Sequence, residues 1–260
     1  MTKLEKLKAD LRGLGELAVA FSGGADSSLL LRAAHDALGE RAIGITIRSP
    51  YMSSREIAEA VEFARAYGIR HEILELGVAE EIKDNPENRC YLCKKAVFSR
   101  LIERARELGF SRVADGTNRD DLGEYRPGLK AKEELGVLSP LINLTKSEIR
   151  ELSRELNLPT AEKPSYACLL TRLPHGREID ESELNLIEAA ENLLIASGYV
   201  NVRARCDRKN IKLQMPFSSM RDFLNDAKFK SVVRQLVTLG AAEVTLDLKG
   251  LREDVLHERG

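Results

Sequence analysis

Leu17-Ala18-Val19-Ala20-Phe21-Ser22-Gly23-Gly24-Ala25-Asp26-Ser27-Ser28 decides the reading of this chain. Its first five residues form a short apolar run that reads as a buried strand. Two glycines then mark a tight turn, and residues 28–38 show helical apolar spacing. A strand, a glycine turn and a helix in that order build an anion site, because the first amides of the helix point outward. The glycines let a phosphate approach the backbone. Ser22, Ser27 and Ser28 add hydroxyl donors, and Asp26 is placed to cap the helix or help hold Mg²⁺. The G-x-x-x-x-G-K-[ST] pattern is missing, so this is not a Walker loop and γ-phosphoryl transfer of that type is not implied.

Working outward, the same alternation continues. Residues 42–47 read as a strand, 53–67 as a helix and 71–76 as a strand. Residues 77–89 are polar and read as a loop, 92–108 as a long helix with Gly109 past its end, and 112–115 as a fourth strand. Thr145-Lys146-Ser147-Glu148 fits a capping box opening a helix over 145–156. Strands alternating with helices predict an α/β unit with a parallel sheet covered on both faces. Residues 159–174 then hold three prolines, Pro159, Pro164 and Pro174, with Cys168 among them. Beyond them a helix over 181–197, strands over 200–205 and 211–215, a helix over 219–239 and a strand over 243–248 predict a small α+β domain. The expected division is 1–158, a linker over 159–178 carrying Cys168, and 179–260.

Composition excludes several classes. Forty basic against 41 acidic side chains give a net charge of −1 over 260 residues, unlike a strongly basic nucleic-acid binder. No stretch approaches the roughly 20 apolar residues of a membrane span. Met1-Thr2-Lys3-Leu4-Glu5 is charged and lacks an apolar signal core, so a cytoplasmic protein is expected. Residues 199–235 carry nine basic and three acidic side chains, a net of +6, which leaves −7 elsewhere. Such a local basic patch suits a phosphorylated small molecule, or else is an ordinary salt-bridged surface.

Four cysteines are too few for a disulfide scaffold. Asn88-Arg89-Cys90-Tyr91-Leu92-Cys93-Lys94 sets two thiols three residues apart at a helix start, on one face. The helix N-terminus and Lys94 and Lys95 are expected to lower both thiol pKa values. By itself the pair is redox-active, metal-binding or two small buried hydrophobes. Cys168 is a third thiol. Cys206, between Arg205 and Asp207, reads as packing, and His175 is given no role.

Ser22 to Ser27 resembles the S-G-G-x-D-S motif of the PP-loop ATP pyrophosphatases. That resemblance implies an adenine-nucleotide α-hydrolase-like, Rossmann-like fold binding ATP and Mg²⁺. Ser22, Gly23, Gly24, Asp26, Ser27 and Ser28 would contact the nucleotide, with Asp26 at Mg²⁺. Residues 45–47 would flank the adenosine. Asp115-Gly116-Thr117-Asn118 would close the site through Gly116 and Thr117. Such enzymes adenylylate an oxygen, release pyrophosphate, and let a nitrogen or sulfur nucleophile displace AMP. The loop's donors stabilise charge building on the departing pyrophosphate.

The chain is also similar, essentially end to end, to the LarE family of ATP-dependent sulfur transferases acting on pyridinium-3,5-biscarboxylic acid mononucleotide. The likeness includes Asn88 to Lys94, Tyr125-Arg126-Pro127-Gly128, Leu138-Ser139-Pro140-Leu141, Pro164 to Arg172 and Val244-Thr245-Leu246-Asp247-Leu248. It implies conversion of a carboxylate to a thiocarboxylate, towards the nickel-pincer nucleotide of lactate racemase. In single-cysteine members the residue matching Cys168 gives up its own sulfur. Three-cysteine members bind a [4Fe–4S] cluster, which here would use Cys90, Cys93 and Cys168 as ligands and in catalysis. A sacrificial Cys168 and a zinc site remain as other readings of the three thiols.

Arg203, Arg205, Lys209 and Lys212 are candidates for the substrate phosphate. Lys212 and Gln214 stand where the family usually has arginine and glutamate. Arg126 and Lys146 are candidates for nucleotide or pyrophosphate, while Asp120, Asp121 and Glu124 read as caps. A sulfide or persulfide source and a homo-oligomer are expected; membrane and nucleic acid are not. A tRNA thiolase of the same superfamily, an ammonia-using synthetase and a non-enzymatic sensor are the rivals.

Overall fold

The computed structural model describes residues 1–123 and 127–251. The chain forms two compact units, Met1–Tyr166 and Ala167–Gly260.

The first unit runs α1 (Lys3–Leu14), β1 (Leu17–Ala20), α2 (Ala25–Leu38), β2 (Ala42–Arg48), α3 (Ser54–Ala66), β3 (Arg70–Glu75), α4 (Arg89–Glu107), β4 (Val113–Ala114), α5 (Pro127–Glu134) and α6 (Lys146–Glu155). Its sheet has the order β3-β2-β1-β4 and every pairing is parallel. The register sets Leu17 against Ala42 and Ala18 against Val113. Side chains alternate across the sheet. Leu17 and Val19 join Leu11 of α1, Leu30 of α2, Phe63 of α3 and Ile149 of α6 on one face. Ala18 joins Ile43, Leu101 of α4 and Val113 on the other. Both faces are thus covered, as the apolar runs predict.

Two helices here depart from the sequence reading. α1 is missing from that reading, although Thr2 and Glu5 form a reciprocal capping box and Leu4, Leu7 and Leu11 make a buried stripe. α4 begins at Arg89 rather than residue 92, so both Cys90 and Cys93 lie within it.

The second unit holds a 3-10 turn (Leu169–Arg172), α7 (Glu181–Ala196), β5 (Arg203–Asp207), β6 (Asn210–Gln214), α8 (Phe217–Asn225), α9 (Phe229–Thr238) and β7 (Glu243–Leu246). β5 and β6 form a hairpin across Arg208 and Lys209, both at positive φ, and β7 adds in parallel to β6. Two consecutive left-handed residues match the right-handed twist of the strands. Ala204, Cys206, Ile211 and Leu213 are buried with Leu184, Ile187 and Leu194 of α7. The single helix expected over 219–239 is two. Asp226 turns extended after α8, accepts the Tyr199 hydroxyl at 2.6 Å, and accepts the Lys228 amide at 2.7 Å as α9 starts.

Candidate functional site

The loop between β1 and α2 is built around its serines. The Ser22 and Ser27 hydroxyls lie 3.1 Å apart, and Ser27 also donates to the Gly24 carbonyl at 3.3 Å. Gly23 sits at φ +71, and a Cβ there would come within 3.1 Å of the Ala60 Cβ. Gly24 caps α2 with no side-chain hydrogen bond to the first-turn amides. Ser28 differs from expectation. It is fully buried and its amide already donates to the Gly24 carbonyl at 3.0 Å, so it offers the loop no free donor.

Cations flank this loop. Lys146, at the start of α6, donates to both oxygens of Asp26 at 2.7 and 2.6 Å. The carboxylate expected at Mg²⁺ is therefore ion-paired here. Lys163 donates to the Gly23 carbonyl at 2.9 Å and pairs with Glu59 at 2.6 Å. Glu56, 3.7 Å from the same ammonium, has its carboxyl pushed up by burial despite that charge. Sequence reasoning misses Lys163, which stands 140 residues from the carbonyl it holds.

Gly116 abuts the loop. A Cβ there would lie 2.9 Å from the Ser27 amide nitrogen, so only glycine permits this approach. Its neighbour Asp115 is buried and accepts from Thr117, Ser139 and Lys132. Burial opposes ionisation of Asp115, but these donors outweigh it and hold the carboxyl below its usual range. The Thr117 hydroxyl, expected on the nucleotide, is buried in this network. Asp120 accepts the Lys146 amide at 2.7 Å and Asp121 the Asn118 amide at 3.0 Å, as caps do. Glu124 and Arg126 lie outside the described residues.

Cys90 is exposed in the first turn of α4 and Cys93 is half-buried one turn on. Cys93 Sγ lies 3.4 Å from the hydroxyl of the buried Tyr51. The expectation of a lowered pKa fails at Cys93. Burial pushes the thiol up, and the Tyr51 hydroxyl and the Lys94 charge do not reverse it. Lys95 is instead engaged by Glu134 and Tyr91, both at 3.2 Å. Cys168 belongs to the second unit, half-buried just before the 3-10 turn. Within the described residues of either unit, no three His, Cys, Asp or Glu side chains gather as metal ligands.

Two relatives match nearly end to end. The chain is 36% identical to an uncharacterized protein of Synechocystis sp., covering 98% of this chain and 97% of that one. It is 34% identical to the pyridinium-3,5-bisthiocarboxylic acid mononucleotide synthase of Lactiplantibacillus plantarum, covering 99% of this chain and 94% of that enzyme. The chain belongs to the LarE family. No family model matches it. A more distant relative, the glutamine-hydrolyzing GMP synthase of Thermoplasma volcanium, is 26% identical over 74% of this chain and 67% of the matching GMP synthase chain. The parallel sheet and its SGGxDS loop are those of a PP-loop, adenine-nucleotide α-hydrolase-like unit.

In this LarE enzyme the candidate phosphate residues share one face of the second unit's sheet, opposite Ala204 and Cys206. Arg205 donates to Gln214 at 2.7 Å and to the Thr171 carbonyl at 3.2 Å. Gln214 donates to Asp247 at 2.8 Å, and Lys212 lies 3.9 Å from the same carboxylate. Arg203 pairs in register with Gln214. Cys206 is buried against Glu183, and burial pushes its thiol up to about 11, which suits packing. No helix among the described residues is long and apolar enough to cross a membrane.

Proposed function

We propose that this LarE enzyme adenylylates a carboxylate of a pyridinium mononucleotide with ATP and replaces an oxygen by sulfur to give a thiocarboxylate. The near full-length likeness to the Lactiplantibacillus plantarum synthase carries the reading. The substrate carboxylate oxygen attacks the α-phosphorus of ATP, the bond to the β-phosphate oxygen breaks, and pyrophosphate leaves. A hydrosulfide-level nucleophile then attacks the acyl carbon, and AMP departs with the bond electrons. Ser22, Gly23, Gly24 and Ser27 hold the pyrophosphate by backbone and hydroxyl donors. Lys146 and Lys163 balance its charge, and Asp26 exchanges Lys146 for Mg²⁺ when nucleotide is bound.

The thiol set suits a soft metal centre. Cys90, Cys93 and Cys168 are thiols outside any disulfide, and the first two stand one turn apart on α4. These three residues are proposed to hold a [4Fe–4S] cluster, which supplies an iron able to carry sulfur for repeated turnovers. A sulfide or persulfide donor then reloads it. Arg203, Arg205 and Lys212 receive the substrate phosphate, and residues 179–260 serve substrate binding and homo-oligomer assembly. The product feeds the nickel-pincer nucleotide of lactate racemase, in the cytoplasm.

Anaerobic purification with visible spectroscopy and iron and sulfide analysis tests the cluster. Cys90→Ala, Cys93→Ala and Cys168→Ala are each expected to remove the spectrum and sulfur transfer while ATP is still bound. If only Cys168→Ala stops transfer, and the protein loses the mass of one sulfur per turnover, Cys168 is a sacrificial donor and the cluster reading is wrong.

A further inference from the structure

Arg172 closes the 3-10 turn that Cys168 precedes, and only 3% of it is exposed. Its Nε and Nη2 donate to the two oxygens of Glu191 on α7, at 2.9 and 3.2 Å. That is a two-pronged match of guanidinium to carboxylate. Glu191 is itself buried and also accepts the Ala204 amide of β5 at 2.9 Å. The pair is thus anchored to both the helix and the sheet of its unit.

The remaining nitrogen, Nη1, turns back to the Cys168 loop. It donates to the Ala167 carbonyl at 3.0 Å and to the Thr171 hydroxyl at 2.7 Å, with the Cys168 carbonyl at 3.5 Å. The Thr171 hydroxyl in turn donates to the Cys168 carbonyl at 2.9 Å, and the Thr171 amide does so at 3.1 Å. A peptide unit is planar. Fixing the carbonyls of Ala167 and Cys168 therefore fixes the two planes that meet at the Cys168 Cα. The Cα–Cβ direction follows, and the thiol keeps only rotation about χ1.

We propose that Arg172, locked by Glu191 and relayed by Thr171, is the positioning residue that aims the Cys168 sulfur. The proposal rests on the reading of Cys168 as a sulfur-bearing residue. Arg172 touches no reacting atom; it acts by holding the main chain on both sides of the cysteine. An arginine suits the task because its planar fork meets a carboxylate with one edge and leaves a further donor for the loop. A lysine keeps the charge and loses this double engagement.

The test uses the full chain with Arg172→Lys and Thr171→Val. Three quantities are read: kcat and KM for ATP in sulfur transfer, the rate of Cys168 alkylation by iodoacetamide, and Cys206 alkylation as a report on the same unit's fold. In Arg172→Lys the expected loss in kcat is on the order of 100-fold, the scale of a misplaced reacting group. KM for ATP stays level, the Cys168 alkylation rate changes, and Cys206 stays unreactive. Thr171→Val, which removes one hydrogen-bonding hydroxyl, is expected to lose about tenfold in kcat. Wild-type kcat and Cys168 reactivity in both variants overturn the proposal. So does Cys206 becoming reactive in Arg172→Lys while Thr171→Val behaves as wild type. Sulfur transfer by Cys168→Ala at the normal rate would instead sink the underlying reading of Cys168.

Discussion

Behind the nucleotide loop stands Asp115 with Lys132; behind Cys168 stands Arg172 with Glu191. Both pairs are buried, at 8% and 8% exposure in the first unit and 3% and 6% in the second. Their chemistry differs. Lys132 is a point charge, and its neighbours Thr117 and Ser139 complete the Asp115 carboxylate. Burial lowers the Lys132 pKa, with Asp115 opposing. Arg172 is a fixed fork that does not lose its proton in proteins. A lysine stranded by loss of its partner can therefore shed its charge, and a stranded arginine cannot. One pair tolerates damage by titrating, while the other must break.

The largest expected effect tests this difference directly. Glu191→Ala strands a buried guanidinium and is expected to cost ~3–5 kcal/mol. Asp115→Ala strands an ammonium that can neutralise, so its cost is expected to be smaller, about 2–3 kcal/mol. Urea unfolding of the whole chain, read through Cys206 and Cys93 exposure, measures both. An Asp115→Ala penalty equal to or above that of Glu191→Ala would break the comparison.

Next in size is Gly116→Ala, whose added methyl meets the Ser27 amide. Pyrophosphate release from ATP should fall on the order of 100-fold. Cys168 alkylation, a property of the other unit, should not change. A smaller effect comes from acid. Asp115 has a folded pKa held below its unfolded value, so the unfolded chain binds the extra proton. The stability it contributes is present above about pH 3.9 and is lost as the pH falls through the folded value. Asp115→Asn should flatten that part of the acid unfolding curve. Last are the thiols: alkylation of Cys206 in the native protein should rise only as pH nears its pKa of about 11, long after exposed Cys90 has reacted. Equal rates at pH 8 would contradict the buried placement of Cys206.

The parts of the fold carried by contiguous signals are legible in the sequence. The apolar runs at 17–21 and 42–47, the glycine turn and the Thr145–Glu148 box need only near neighbours, and β1, β2, α2 and α6 lie where those signals put them. What the sequence does not reveal is mostly made by distant partners. Lys163 reaches Gly23 across the unit, Lys132 reaches Asp115, and Arg172 reaches Glu191, and nothing in each local stretch marks the contact. Two local misreadings also have physical causes. Apolar spacing alone counts Asp226 into a long helix, although its carboxylate favours the start of α9 over the continuation of α8. Helix position alone gives Cys93 a lowered pKa, while the Tyr51 side of α4 buries it.

The strand order of the first unit has a consequence for how the chain folds. β1 is central, yet its neighbour β4 arrives late, with Val113 pairing to Ala18. During synthesis one edge of β1 therefore stays open while the intervening residues emerge. The two-residue β4 is then joined only by the Ala114–Leu138 bridge beyond it. Closing so long a loop before any reward makes parallel pairing slow. An apolar strand with a bare edge is also a template for another chain. Docking of residues 113–114 on β1 is thus expected to limit folding, and nascent chains ending before them should be the species most in need of a chaperone.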